Sequence, residues 1–276
     1  MENIVWNEKN GVPFITFPSF ENLHITHGAS TKLGGVSKGD CATMNMSFTR
    51  GDGVEDVRTN HRLFANAVGY DVKNVVLSNQ VHDTKIYRVT QADYGKGVSR
   101  QSDIIGIDGL ITNDKNAVLM IFFADCVPLF FYDPVKQAIG AAHSGWRGTV
   151  QRMGACTVEA MMREFGSQPQ HIHAVIGPSI CQSCYEVSED VIEKFQKEFK
   201  KEQWNRLWES KPNHKYQLNL WEANRIVLEE AGIPSEQIEV SGYCTCCHAD
   251  VLFSHRATNG HRGNLSGVIT LGGRDE

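Results

Sequence analysis

The sequence has no long apolar run: its longest, Ala117 to Ala124, is far too short to cross a bilayer. Blocks of like charge are also missing. With 27 Lys and Arg against 32 Asp and Glu, a net charge of −5 and a pI near 6.1, there is no basic stripe to hold nucleic acid or a membrane surface. The opening residues, MENIVWNEKNGVPFITF, include acidic side chains and lack the apolar core of a signal peptide. A cytoplasmic, reducing location is therefore expected. No internal repeat, low-complexity tract or Pro- or Ser-rich linker divides the chain, so residues 1–276 read as one domain with enough length for a sizeable core. The eight cysteines, with no secretion signal, read as thiols, ligands or nucleophiles and not as a disulfide framework.

Segments rich in β-branched and aromatic residues recur at Phe14–Phe17, Val75–Leu77, Lys85–Val89, Gly109–Thr112, Ala117–Phe123, Leu129–Tyr132, Ala138–Ala142, Ile172–Ile176 and Ile238–Gly242, and read as strands. Helices are fewer. Glu55–Val68 carries an apolar stripe of Val57, Leu63, Phe64 and Ala67; Thr149–Phe165 and Ser188–Phe199 also read as helices. In Asn219–Ala231, Asn219 and Glu222 stand at capping-box spacing and Gly232 stops the helix before Pro234. Strands come in runs and do not alternate strictly with helices. The expected fold is α+β: mixed or antiparallel sheets flanked by helices, not a doubly wound parallel sheet.

The stretch ADCVPLFFYDPVKQAIGAAHSGWRG places a cysteine before one apolar run and a histidine after the next. Asp133-Pro134-Val135-Lys136 is turn chemistry, so the runs read as a β-hairpin. A turn centred between Pro134 and Val135 sets Cys126 directly opposite His143, close enough for thiolate and imidazole to share an ion. Pro128 cannot donate a ladder hydrogen bond, and a bulge there would shift that register. With His82 in NQVHDTKI, two imidazoles and one thiolate would suit an open zinc site, although no local spacing ties His82 to the other two.

HSGWRGTV ends a strand and opens a helix; Arg147 there either adds to a phosphate-binding helix start or belongs to an ordinary turn with Trp146 in the core. SGYCTCCHADVLFSHR holds Cys244, Cys246, Cys247, His248 and His255, but no second CxxC follows it at finger spacing, so a structural or substrate-facing role is expected and not a second ion. HIH at 171–173 is the single HxH motif, too few histidines for a multicopper oxidase. Lys32, Arg256 and Arg262 sit in glycine- or hydroxyl-rich loops suited to oxyanion contact.

Taken together, TKLGGVS, MNMSFTRGD, NQVH, DIIGIDGLIT, ADCVPLFFYDP, AAHSGWRG, IGPSICQSCYEV, CTCC and FSHRATNGHRGNLSGVI resemble the YfiH/YlmD family, also called the laccase-domain or polyphenol-oxidase family and described as purine nucleoside phosphorylases. The resemblance covers most of the chain. It implies one domain of stacked mixed sheets, with His82, Cys126 and His143 as catalytic zinc ligands. The implied chemistry is phosphorolysis of adenosine, inosine, guanosine and S-methyl-5'-thioadenosine to base and ribose 1-phosphate, with deamination of adenosine. Lys32 and His255 stand where the family more often has Arg and Tyr.

On that reading Arg62 and Arg262 orient phosphate, while Lys32, Asn45, Arg147 and Arg256 contribute substrate or phosphate contacts. Asp125 and Asp108 are either acid/base groups, supports for the ligands, or carboxylates that order a loop. Copper is a possible occupant in place of zinc, since the Irving–Williams order favours it wherever it is available. Two rival readings remain: a copper-dependent phenol oxidase, and a non-enzymatic zinc-stabilised binding protein with a closed four-ligand site.

Overall fold

The computed structural model describes residues 2–273. Its strands are β1 (Val5–Lys9), β2 (Val12–Thr16), β3 (Thr26–Ser30), β4 (Val75–Val76), β5 (Ile86–Arg88), β6 (Gly109–Thr112), β7 (Val118–Phe123), β8 (Val127–Asp133), β9 (Ala138–Ser144), β10 (His173–Ile176), β11 (Glu186–Ser188), β12 (Trp208–Lys211), β13 (Lys215–Leu218), β14 (Ile238–Val240) and β15 (Leu265–Thr270). The helices are α1 (Pro18–Asn22), α2 (Val54–Val68), α3 (Trp146–Val150), α4 (Met153–Phe165), α5 (Glu189–Glu198), α6 (Trp204–Leu207) and α7 (Leu220–Glu230).

Two six-stranded mixed sheets form the centre. One has the order β1-β2-β3-β15-β7-β4 and is parallel only between β7 and β4; the other, β14-β10-β8-β9-β6-β5, is parallel only at its two edges. A small antiparallel sheet, β11-β13-β12, lies apart.

Period-two alternation explains the layering. Along β7, Leu119, Ile121 and Phe123 face the second sheet, meeting Phe130, Tyr132 and Ile139, while Val118 and Met120 face α2 through Phe64 and Ala65. Along β8, the complementary set Val127, Leu129 and Phe131 packs under α4, α5 and α7, against Met153, Phe195 and Val227. Helix, sheet, sheet and helices therefore stack in that order. The inner interface is tight enough that a Cβ on Gly267 of β15 would lie 2.3 Å from Phe130 Cζ.

The hairpin forms, but its register differs from the expected one. The ladder pairs Val127 with Ser144 and Pro128 with His143, and runs without a bulge to Asp133 and Ala138. Its loop is Pro134–Gln137: Asp133 Oδ1 accepts from the N–H groups of Val135 and Lys136 at 2.9 and 3.0 Å, and Gln137 takes a positive φ of 49°. The turn centre consequently lies between Val135 and Lys136. Pairing moves by two positions, which keeps Cys126 on the face of His143 but sets it opposite Gly145, one step beyond the ladder.

The expected helix Thr149–Phe165 is two helices, since Arg152 adopts a left-handed conformation (φ 62°) between α3 and α4. Asn219 caps α7 by accepting from Glu222 N–H at 3.1 Å, but the Glu222 carboxylate turns to Arg225 and Arg206, so only half of the capping box forms. Strands β1, β3 and β15, and the whole small sheet of β11, β12 and β13, lay outside the sequence reading.

Gly267→Ala tests the inner interface. The added methyl is expected to cost about 1–3 kcal/mol, read as a lower urea midpoint with an unchanged slope.

Candidate functional site

Three side chains from separate segments of the chain converge. His82 lies in the loop between β4 and β5, Cys126 at the corner from β7 to β8, and His143 near the end of β9. Their ligand atoms all lie within 4.8 Å of one another, with Cys126 Sγ 3.9 Å from His82 Nε2. Around a tetrahedral zinc, Zn–N of about 2.0–2.1 Å and Zn–S of about 2.3 Å put neighbouring donors roughly 3.4–3.6 Å apart. The donor set fits such an ion with little closure. His82 is exposed, Cys126 half-buried and His143 buried, so the cluster opens to one side and a fourth position remains for water or substrate.

Asp108 holds two of the three. Its carboxylate, fully buried, accepts from the backbone N–H groups of Val81 (2.8 Å), His82 (3.0 Å) and Asp83 (3.1 Å) and from His143 Nδ1 (2.9 Å). These bonds fix the His82 loop, where His82 itself has a positive φ of 64°, and leave His143 Nε2 as the free ring nitrogen. Gln80 adds a second clip, its amide donating to and accepting from the Phe122 backbone at 2.9 and 2.8 Å. Burial alone would raise the Asp108 pKa, but the bond from His143 and the N–H donors hold it below the usual carboxylate range.

The electrostatics of the pair suit a metal ligand. Burial opposes ionisation of Cys126, yet the charge of His143 and hydrogen bonds from both imidazoles bring the thiol down to about 6. Burial likewise opposes a charged His143, while the Cys126 thiolate and Asp108 push it up to about 9. Each charge supports the other, so the two shifts favour the ionised pair, thiolate with imidazolium. Gly145 makes this approach possible for steric reasons: a Cβ there would lie 2.9 Å from Cys126 Sγ and 3.1 Å from His82 Cδ2.

The three ligands line a cavity of about 560 Å³ that also carries Phe48, Phe122, Ile105, Ser78, Arg50 and Arg262. That volume is within the range of small-molecule sites. The guanidiniums of Arg50 and Arg262 are held by oxygen acceptors without charge: Arg50 donates to Arg262 O (3.2 Å) and Gly260 O (2.9 Å), and Arg262 to Gly263 O (3.0 Å) and Asn264 Oδ1. Burial and then the charge of Arg50 lower the Arg262 pKa to about 10, and its Nε is buried without a partner. The Ser78 hydroxyl, also on the cavity wall, is likewise buried and unpartnered. Arg50 and Ser78 were not singled out in the sequence; the signal for Arg50 was the RGD turn, where Gly51 has φ 77°.

Other residues singled out in the sequence fall elsewhere. Arg62 is exposed on α2, on the face opposite His61 and Phe64, and donates to Thr59 Oγ1 at 2.8 Å; it is not brought to the cavity. Asn45 is buried and spent on the backbone of Ser47 and Asn264 and on Asp52. Lys32 Nζ donates to Ala249 O. Arg147 is exposed and stacks over Trp146, 4.3 Å from the ring centre. Arg256 donates to the carbonyls of Cys184 (3.0 Å) and Glu186 (2.9 Å). Asp125, at φ 84°, accepts from Thr245 Oγ1 and Arg256 N–H, both at 2.6 Å, so its carboxylate ties a distant loop to the residue beside Cys126.

The expectation of no second cluster in SGYCTCCHADVLFSHR meets a different arrangement. Cys244 and Cys247 gather with Cys181 and Cys184, all four sulfurs within 4.8 Å of one another. The partner CxxC lies upstream, in IGPSICQSCYEV. His171 and His173 join no such group among the described residues.

Residues 26–272 match the family described as "Multi-copper polyphenol oxidoreductase laccase". The chain is 39% identical to "Purine nucleoside phosphorylase YlmD" of Bacillus subtilis over 251 residues, covering 91% of this chain and 90% of that one. The crystal structure of YlmD from Geobacillus stearothermophilus superposes with a TM-score of 0.92 at 33% identity over the whole of both chains. That of a Bacillus licheniformis hypothetical protein, YfiH, gives 0.90 at 34% identity, covering 97% of this chain and 99% of that chain.

Two outcomes follow from the Asp108 cradle and the charged pair. Asp108→Asn should weaken zinc affinity about 10–100-fold, read by competition with a chromophoric chelator. At these three residues zinc requires the thiolate and neutral imidazoles, so binding there at pH 7.5 should release about one proton, drawn from His143, and more below pH 6, where the Cys126 thiol is protonated as well; the count is taken in Cys247→Ser, which lacks one of the four clustered cysteines. Calorimetry in buffers of different ionisation enthalpy measures that count.

Proposed function

The chain belongs to the family described as "Multi-copper polyphenol oxidoreductase laccase", and on that premise we propose that it is a zinc-dependent purine nucleoside phosphorylase. Its substrates would be adenosine, inosine, guanosine and S-methyl-5'-thioadenosine, cleaved to base and ribose 1-phosphate. The relatives named purine nucleoside phosphorylase support an enzyme of this class. The observation that carries the phosphate half is the pair Arg50 and Arg262, two guanidiniums on one cavity wall that form no ion pair among the described residues. A phosphate dianion between them would relieve their repulsion and could engage the buried Arg262 Nε.

His82, Cys126 and His143 would hold the zinc. When bound, the ion supplies Lewis-acid polarisation and activation of water at its open position, which also suits hydrolytic deamination of adenosine. The remaining work belongs to the chain. Phe48, Phe122 and Ile105 offer an apolar surface for a purine, and the unpartnered Ser78 hydroxyl is free to meet a substrate heteroatom. Arg50 and Arg262 fix phosphate against C1′, where positive charge develops as the glycosidic bond breaks. Asp108 keeps His143 oriented through Nδ1, and its place one shell back supports a positioning role over acid/base chemistry. Asp125, engaged by Thr245 and Arg256, suits the same kind of support. A multicopper oxidase is disfavoured by the donors: the clusters among the described residues are one His/Cys/His set and one of four cysteines, with no histidine-rich group.

The test is incubation of metal-quantified protein with adenosine, with and without phosphate, resolving adenine, inosine and hypoxanthine by chromatography. Adenine that requires phosphate and disappears in Cys126→Ala is the expected result; Arg262→Ala should raise the phosphate KM by roughly tenfold or more, as expected for loss of a charge-assisted contact. Adenine released without phosphate, or an unchanged phosphate KM in both Arg50→Ala and Arg262→Ala, would contradict the phosphorylase reading. Inosine formed without phosphate would report the deaminase.

A further inference from the structure

The four-cysteine group lies outside the cavity and takes no part in the reaction proposed above. It joins two segments distant in sequence, Cys181-Gln182-Ser183-Cys184 and Cys244-Thr245-Cys246-Cys247. A parallel bridge between Ser179 and Cys244 brings them side by side, with Ser179 N–H donating to Tyr243 O and Thr245 N–H to Ser179 O, both at 3.2 Å. Cys184 Sγ and Cys181 Sγ then stand 3.5 and 3.9 Å from Cys247 Sγ.

These separations suit one ion. Four thiolates at about 2.3 Å from a tetrahedral zinc are roughly 3.8 Å apart. In a four-iron cluster each thiolate binds a different iron, so the sulfurs would stand farther apart. The surroundings suit thiolates as well: the backbone N–H groups of Cys181 and Cys247 donate to Cys244 Sγ at 3.2 and 3.4 Å, and Ser183 Oγ lies 3.1 Å from Cys181 Sγ. Two CxxC pairs supplying a closed set of four sulfurs make the pattern of a structural site.

We propose that Cys181, Cys184, Cys244 and Cys247 bind a structural Zn²⁺, distinct from the ion held by His82, Cys126 and His143. Binding replaces four thiol protons by one Zn²⁺, with no change of oxidation state. The consequence for the cavity is mechanical. Ile180 N–H donates to Asp125 O at 3.0 Å and Thr245 Oγ1 to its carboxylate at 2.6 Å, so each cysteine segment holds the residue next to Cys126. A metal that locks the two segments together also locks the backbone that presents the Cys126 thiolate.

The full-length protein is reduced, loaded with Zn²⁺, desalted and assayed for bound metal per chain. Two equivalents are expected in the wild type and one in Cys126→Ala. Cys247→Ser is expected to lose one equivalent and to keep the other. Co²⁺ loading of Cys126→Ala guards against a misfolded variant, because its four cysteines are intact: strong thiolate-to-cobalt charge transfer with the intense visible bands of a tetrahedral all-sulfur site is the expected spectrum. A single equivalent in the wild type that vanishes in Cys126→Ala would overturn the proposal. So would four cysteines found as two disulfides that, once reduced, take up neither ion.

Discussion

A single buried carboxylate organises the site. Asp108 has no exposed surface and accepts four hydrogen bonds, three from consecutive backbone N–H groups at residues 81–83 and one from His143. Unpaired, such a charge would cost several kcal/mol to bury; fully satisfied, it imposes geometry. One group therefore sets the conformation of the loop that carries His82 and the ring orientation of His143 on a strand. The third ligand, Cys126, is brought in by the hairpin and by the missing side chain at Gly145.

Charge balance runs outward from that carboxylate. Asp108 favours a protonated His143, and His143 in turn favours a thiolate at Cys126. Further along the cavity the sign is positive, where Arg50 and Arg262 are packed together with oxygen acceptors that carry no charge to cancel theirs. A nucleoside site needs both features: a place for a metal or a departing base at one end, and a place for an anion near the sugar. The two stacked sheets provide the rigidity, since the ligands stand on loops and strand ends held by a core that alternates residue by residue along β7 and β8.

Much of this was legible in the chain. Runs of β-branched and aromatic residues located β6, β7, β8, β9 and β10, because both faces of those strands are apolar and buried. Strands β3 and β15 escaped because their sequences, THGAS and LSGVIT, spend inward positions on glycine and serine; Gly267 is small only because Phe130 of the other sheet fills its space. The pairing of Cys126 with His143 was right in face and wrong in register by two, since a four-residue loop closed by the Asp133 carboxylate cannot be told from a two-residue turn by composition. His82 was reachable only through family resemblance, as nothing local links it to the hairpin. Arg62 and Arg50 illustrate the converse limit: only the rotation of α2 and the turn at Gly51 decide which of the two arginines meets the cavity. The four cysteines stand in the sequence as two CxxC pairs, but the upstream pair was missed, because what joins them is a bridge between residues far apart in sequence.

The central claim is that Asp108 presets an open His82–Cys126–His143 metal site beside an arginine-lined phosphate pocket. The most direct test is a crystal structure of the zinc-loaded protein grown with phosphate, with anomalous data collected on both sides of the zinc edge. The account predicts an anomalous peak bound by His82 Nε2, Cys126 Sγ and His143 Nε2, with His143 Nδ1 still on Asp108 and phosphate against Arg50 and Arg262. Zinc bound through His143 Nδ1, no peak at these three residues, or phosphate seated instead at Arg62 or Lys32 would contradict it.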